Sequence, residues 1–249
     1  MDTKIILDGL CGRYREILKD NFVGMYVHGS LAMDGFNPDK SDIDFIIVCE
    51  REPEGEVKRN IVDATMAYMA IAPAKGLEMH LLLRADCKSS SYPPRFVLHW
   101  SPAHVTNYLK DPVDYTGWMK GEDPDLAAHL NVVYQRGICW NGAPVRDIFA
   151  PVPREAYLES ILNDAEWSDD EAMYHVLNRC RTLGYLRTGS VMSKHEGAVW
   201  ALENLGEKYR PVIREALDCY ESDRDMPATA DARAFCEEAL AVLKSEMDK

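Results

Sequence analysis

The sequence predicts an α/β domain with a mixed sheet, followed by an all-α helical bundle. Up to about residue 100, β-branched and aromatic runs bounded by turn residues are typical of strands. After about residue 125, apolar residues recur at helical spacing and rarely alternate. The proline-rich stretch 149–153 separates the two patterns. We therefore predict two domains, 1–150 and 151–249, which a chain of 249 residues can accommodate.

The first domain is expected to begin with an amphipathic helix over residues 3–19. Ile6, Leu10, Tyr14 and Leu18 fall on one face of that helix, which should pack on the first strand. Strands are predicted at 22–28, 45–49 and 77–83, and a second helix at 56–71. The last two strands and the helix between them form a β–α–β unit, whose crossover should be right-handed.

Helices make up the second half of the prediction. They are expected at 125–139, 154–163, 169–187, 195–205, 212–220 and 231–247. Arg210-Pro211 interrupts this series, because proline is tolerated at the start of a helix but not within it.

Two neighbouring motifs indicate a site for nucleotide phosphates. Gly29-Ser30 follows the first strand, and such a small turn lets backbone N–H groups approach an anion. Asp42 and Asp44 stand two residues apart at a strand entrance, so their carboxylates point to the same face. Mg²⁺ favours hard oxygen ligands from carboxylates and phosphates, and a metal pair can hold both oxygens of an in-line displacement. An ordinary turn and strand start is the alternative, which the combination of motifs disfavours.

Glu78 is the candidate general base. It lies in the apolar segment Gly76–Leu83, where a carboxylate is either exposed on an edge or buried for a purpose. If the segment is a strand, Glu78 and His80 share one face. Transfer to an alcohol needs a group that accepts the hydroxyl proton, and a nearby metal pair favours Glu78 in that role.

Composition restricts the partners. The net charge of −13, without a basic patch, disfavours a nucleic-acid partner and suits a cationic small molecule, although acidity also keeps proteins soluble. Seven cysteines without a C-x-x-C pair argue against a disulfide framework and structural zinc. The seven histidines lack paired metal-ligand spacing and are interpreted as structural. Without a long apolar run or signal-peptide core, we expect a cytoplasmic protein with no membrane contact.

Further candidates have structural alternatives. Trp100 could stack on a base or cover a substrate, or it could belong to the core. Five carboxylates between Asp164 and Glu171 surround Trp167, where they could cap a helix or bind a cationic ligand. Arg181 and Lys194 could reach triphosphate oxygens or belong to a solvated helix face.

Gly29-Ser30, Asp42-x-Asp44 and Glu78 together resemble the DNA polymerase β-like nucleotidyltransferase superfamily. Over nearly the whole chain the layout resembles the spectinomycin/streptomycin adenylyltransferases, whose interdomain stretch is similar to residues 147–153. The resemblance implies a nucleotidyltransferase domain, a helical C-terminal domain, and transfer of AMP from ATP to an aminoglycoside hydroxyl with release of pyrophosphate. It also implies ATP and Mg²⁺ as cofactors.

The resemblance also implies roles for single residues. Gly29 and Ser30 would bind phosphate, Asp42 and Asp44 would bind Mg²⁺, and Glu78 would act as the base and a third metal ligand. The arginine, lysine and tyrosine that the family uses for the nucleotide fall by spacing on Arg181, Lys194 and Tyr220. The implied antibiotic contacts are Trp100 and Glu171, and the acidic segment around Trp167 adds Trp167 and Asp170 as substrate-binding candidates. Here a glutamate stands at 171 where aspartate is usual, and Trp100 is offset by about three residues from the family position.

Two other functions stay open at this stage. One is adenylylation of a different small hydroxyl compound. The other is a regulatory or antitoxin-like nucleotidyltransferase that acts on a protein. The chain is expected to be a monomer or a weak dimer.

Overall fold

The computed structural model describes residues 2–163, 166–222 and 224–248. The chain divides into two compact units, Met1–Pro153 and Arg154–Lys249. The first unit is built around a mixed sheet, and the described part of the second unit is helical. The predicted fold class is therefore confirmed.

The strands, all in the first unit, are β1 (Phe22–Val27), β2 (Ile43–Cys49), β3 (Leu77–Leu83), β4 (Arg95–Phe96), β5 (Leu98–Trp100), β6 (Gly121–Glu122) and β7 (Ile138–Asn141). The helices of the first unit are α1 (Thr3–Leu18), α2 (Gly29–Ala32), α3 (Gly55–Ala67), α4 (Arg84–Cys87), α5 (Val105–Lys110), α6 (Pro112–Trp118), α7 (Leu126–Arg136) and α8 (Val145–Ile148). Those of the second unit are α9 (Arg154–Asn163), α10 (Ala172–Thr188), α11 (Lys194–Asn204), α12 (Arg210–Glu221) and α13 (Ala230–Met247).

The main sheet has the strand order β5-β3-β2-β1-β7 among the described residues. Strands β2 and β3 are parallel, and the other neighbours are antiparallel. A parallel pair needs a long crossover, which α3 provides. The short strands β4 and β6 pair separately.

Alternation along the strands gives the sheet two apolar faces. Phe45 and Ile47 face the core shared with α1 and α3, whereas Ile46 and Val48 face the core shared with α7 and α8. Burial of each such side chain contributes about 1.5–3 kcal/mol. The sheet is thus covered on both sides, and functional side chains must come from its ends.

The prediction of a helix over residues 125–139 is wrong at its end. Helix α7 stops at Arg136, and Ile138–Asn141 forms β7, which pairs with β1. The helix ends just before Gly137, whose N–H donates to the carbonyl oxygen of Val133 at 2.8 Å but whose backbone is already extended, with φ −60° and ψ 144°. The β-branched and aromatic residues that follow suit a strand, and β1 offers them a free edge.

The second unit is organised around α10, which packs against α11, α12 and α13. Gly197 of α11 lies so close to α10 that a Cβ at this position would be 2.7 Å from the backbone nitrogen of Arg181. Helix α11 begins with a capping box made by Ser193 and Glu196. Among the described helices of both units, none is long and apolar enough to cross a membrane.

Candidate active site

A hydrogen-bonded loop before β2 positions Asp42. The carbonyl oxygen of Asn37 accepts a bond from the Ser41 N–H at 2.7 Å, and the Ser41 hydroxyl accepts one from the Asn37 N–H at 3.1 Å. The loop is tied to the segment before β3 by the Ala74 N–H, which donates to the Pro38 carbonyl at 3.3 Å. Asp42 therefore stands at the entrance of β2 on a fixed backbone.

Three carboxylates converge where β2 and β3 begin. Asp44 and Glu78 are register partners on these parallel strands, and their side chains lie on the same sheet face. Together with Asp42 they offer oxygens that all lie within 4.8 Å of one another. Such a set of hard oxygen donors fits Mg²⁺, because an ion that bridges them relieves their mutual repulsion.

Gly29 is required by geometry at the turn after β1. Its φ of +62° is strained for other residues, and a Cβ at this position would lie 1.8 Å from Oδ2 of Asp44. The N–H of the preceding residue, His28, donates to the Asp44 carbonyl oxygen at 3.0 Å. The Gly29 turn is thereby held directly against the acids.

Ser30 is the second residue of the short helix α2 and has an unsatisfied hydroxyl. Its Oγ is covered, yet it has no hydrogen-bond partner within the described parts of the chain. An unpaired buried hydroxyl costs free energy that a phosphate oxygen would recover. The Gly29-Ser30 turn therefore fits the phosphate-binding role predicted for it.

Histidines surround Glu78, and this clustering was not predicted from the sequence. Five of the seven form one cluster: His28, His80, His99, His104 and His129. His99 Nε2 lies 3.4 Å from Oε1 of Glu78, longer than an ideal hydrogen bond. His80 and His99 face each other across β3 and β5, and their rings stack with centroids 4.0 Å apart. Only the two-residue spacing of Glu78 and His80 indicated this cluster in the sequence, because its other members come from distant segments.

The charges in this cluster are uneven. Burial lowers the pKa of His28 to about 3 and that of His80 well below its usual range, so both rings are neutral. Burial also lowers the pKa of His129, but the carboxylate of Asp125, 3.3 Å from Nε2, outweighs it and raises that pKa to about 10. Although burial raises the pKa of Glu78, His99 and the charge of His129 lower it to about 2. Glu78 is therefore ionised at neutral pH.

Trp100 lies on the opposite side of the sheet from the carboxylates. Because side chains alternate along β5, His99 points to the face of Glu78, whereas Trp100 points to the core beneath α1 and α3. Its side chain is fully buried there. The structure thus places Trp100 in the hydrophobic core, the alternative role considered for it.

The residues predicted to contact the nucleotide from the second unit lie on three of its helices. Arg181 is in α10, at the point where Gly197 brings α11 close, and Lys194 is the first residue of α11. The ammonium of Lys194 lies 4.7 Å from the ring centroid of Tyr174, two turns before Arg181. Tyr220 is half-buried near the end of α12 and packs on the core of the second unit.

The acidic segment around Trp167 is partly used by the fold. Trp167 donates its Nε1–H to Asp169 at 2.6 Å, and Arg233 pairs with the same carboxylate at 2.7 Å. Asp170 and Glu171 are exposed in the turn just before α10. Asp164, also part of the predicted cluster, lies outside the described residues.

Family models match both units. Residues 11–95 match the nucleotidyltransferase domain, and residues 147–245 match the C-terminal domain of aminoglycoside adenylyltransferases. The chain is 24% identical to the spectinomycin 9-adenylyltransferase of Campylobacter jejuni, over 82% of this chain and 80% of the relative. It is 25% identical to the aminoglycoside (3'') (9) adenylyltransferase of Escherichia coli, over 98% of this chain and 94% of the relative.

A solved structure has the same fold. The spectinomycin adenyltransferase AAD(9) from Enterococcus faecialis, solved with ATP and spectinomycin, superposes with a TM-score of 0.77. The superposition covers 97% of this chain and 98% of the other at 18% sequence identity. At that identity the likeness establishes the architecture alone.

Proposed function

We propose that this chain, which belongs to the aminoglycoside adenylyltransferase family of nucleotidyltransferases, transfers AMP from ATP to a hydroxyl of an aminoglycoside. The observation that carries the proposal is the convergence of Asp42, Asp44 and Glu78 beside the Gly29-Ser30 turn. The names of the relatives support the aminoglycoside as acceptor.

The proposed mechanism assigns separate tasks to the residues of the first unit. Backbone N–H groups of the Gly29 turn and the unpaired Ser30 hydroxyl bind phosphate oxygens. Asp42, Asp44 and Glu78 would hold Mg²⁺, which when bound neutralises phosphate charge and favours in-line displacement at the α-phosphorus. Glu78, ionised at neutral pH, accepts the proton of the attacking hydroxyl.

The assignments in the second unit are part of the same proposal. They rest on the resemblance, except that Trp167 and Asp170 are assigned from the acidic segment that contains them. Arg181, Lys194 and Tyr220 bind the nucleotide, because guanidinium and ammonium groups pair with triphosphate oxygens. Trp167, Asp170 and Glu171 bind the cationic acceptor, and the exposure of the two acids leaves them accessible. Lys194→Ala should weaken ATP binding in a calorimetric titration. The matched control is Lys244→Ala, near the end of the second unit in sequence, which should leave ATP binding unchanged.

The test is an acceptor panel with purified protein, ATP and Mg²⁺. Release of pyrophosphate should depend on spectinomycin or streptomycin, and mass spectrometry should detect an AMP adduct of the acceptor. Glu78→Gln should retain ATP binding but lose turnover, because the amide cannot accept the proton. If no aminoglycoside in the panel supports pyrophosphate release while another hydroxyl compound does, the acceptor assignment is wrong and the transfer chemistry stands.

A further inference from the structure

The carboxylate of Glu78 borders two different ligand sets. On one side are Asp42 and Asp44, which offer only oxygens. On the other side are His80 and His99, and the ligand atoms of Glu78, His80 and His99 also lie within 4.8 Å of one another. Glu78 and His80 share a strand face, and His99 is the register partner of His80 on β5.

His80 is the reason to look for a ligand here. Its side chain is 2% exposed, and both of its ring nitrogens lack a hydrogen-bond partner among the residues that the structure describes. Leaving buried polar atoms unpaired costs about 1–3 kcal/mol each, so an imidazole is a poor choice for filling space at this position. Nε2 of His99 likewise makes no hydrogen bond in the described parts of the chain and lies near Glu78 instead.

We propose that Glu78, His80 and His99 form a second metal site, selective for Zn²⁺ or a similar borderline transition metal. Two imidazoles and one carboxylate are a ligand set that Zn²⁺ accepts with water in the fourth position, whereas Mg²⁺ strongly favours oxygen. An ion shared by both imidazoles must lie near the plane of each ring. Binding therefore requires the stacked rings of His80 and His99 to tilt apart.

The site has a consequence for activity, and this consequence rests on the proposed function. A Zn²⁺ ion held by Glu78, His80 and His99 competes for the carboxylate that would otherwise complete the oxygen set of Asp42 and Asp44 and accept the hydroxyl proton. Zn²⁺ should therefore inhibit AMP transfer while Mg²⁺ supports it.

The test measures metal binding to the full chain without nucleotide or acceptor, so its failure is separate from a failure of the proposed function. Calorimetry of chelator-treated protein should give one Zn²⁺ per chain, and Co²⁺ should give the visible absorption of a tetrahedral complex. His80→Leu or His99→Gln should weaken Zn²⁺ binding by more than the roughly 10- to 100-fold caused by altering a second-shell partner. Asp42→Asn, which alters only the oxygen set, should retain Zn²⁺ binding, as should His195→Gln at an exposed histidine.

Two results would overturn the proposal. One is wild-type protein that binds no Zn²⁺. The other is Zn²⁺ binding that is lost in Asp42→Asn but kept in His80→Leu, which would place the ion among the carboxylates. If the histidine variants do not fold, ¹⁵N spectra of the wild-type imidazoles decide: two rings should shift on addition of Zn²⁺, and an unchanged set of signals refutes the site.

Discussion

Replacement of Gly29 by alanine tests whether the turn and the carboxylates work as one unit. The new Cβ would lie 1.8 Å from Oδ2 and 2.6 Å from Cγ of Asp44. Rotation of the carboxylate alone cannot relieve both contacts. To reach the closest contact that Cβ atoms make, about 3.0 Å, Oδ2 must move by about 1.2 Å and Cγ by about 0.4 Å. Metal–ligand distances tolerate about 0.2 Å, and a misplacement of about 1 Å can cost about 100-fold in rate. We therefore expect Gly29→Ala to lose at least about 100-fold in turnover.

The matched control is Gly189→Ala. Gly189 ends α10 with a φ of +71°, close to the +62° of Gly29, but a Cβ there would meet nothing within 4 Å. Both substitutions should cost about 1–2 kcal/mol of conformational strain. Urea unfolding measures that shared cost, and steady-state pyrophosphate release measures the effect on catalysis. Turnover within about tenfold of wild type in Gly29→Ala, or an equal loss in both variants, would refute the coupling of the turn to Asp44.

Three further predictions concern charge and stability. Asp44→Asn should abolish pyrophosphate release at saturating Mg²⁺. Asp39 is an exposed acid in the preceding loop, so Asp39→Asn should leave pyrophosphate release unchanged. Glu52→Gln should destabilise the first unit by about 1–3 kcal/mol in urea unfolding, because it removes the negative charge that pairs with the buried ammonium of Lys58 at 2.7 Å. The bond to Lys58 lowers the pKa of Glu52 below 4.5. The stabilisation in the wild type is therefore present above pH 4.5 and declines as the pH falls through the lowered pKa. If the variant loses stability with acid as much as the wild type does, the role of Glu52 is contradicted. Ser193→Ala should cost about 1 kcal/mol through loss of the α11 cap, and an unchanged unfolding midpoint would argue against the capping box.

Local periodicity was enough to predict the elements that carry the acids. Strands β2 and β3 have long apolar runs, and period-two alternation identifies which residues share a face with Asp44 and Glu78. The same reasoning fails for β5, which has three residues and is too short to show alternation. Its register against His80 decides that His99 faces the site and Trp100 faces the core, and register is a tertiary property.

The histidine cluster and β7 were missed for a related reason. His129 reaches the cluster from α7, and β7 exists because β1 offers it an edge, so both depend on contacts between distant segments. Gly137 was the local sign that the helix ends. The long helices of the second unit were easier to predict, because an amphipathic repeat of many residues is visible without knowledge of its partner.

The position of β1 between β2 and β7 affects how the chain emerges during synthesis. One edge of β1 can pair once β2 has been synthesised. The other edge stays unpaired until β7 is synthesised, roughly 110 residues later. At about 5–20 residues per second, that edge is exposed on the ribosome for roughly 5–20 s. An uncovered strand edge is a template for pairing with another chain. Nascent chains that stall before Ile138 should therefore be prone to aggregate, and this tendency should end once β7 is complete and pairs with β1.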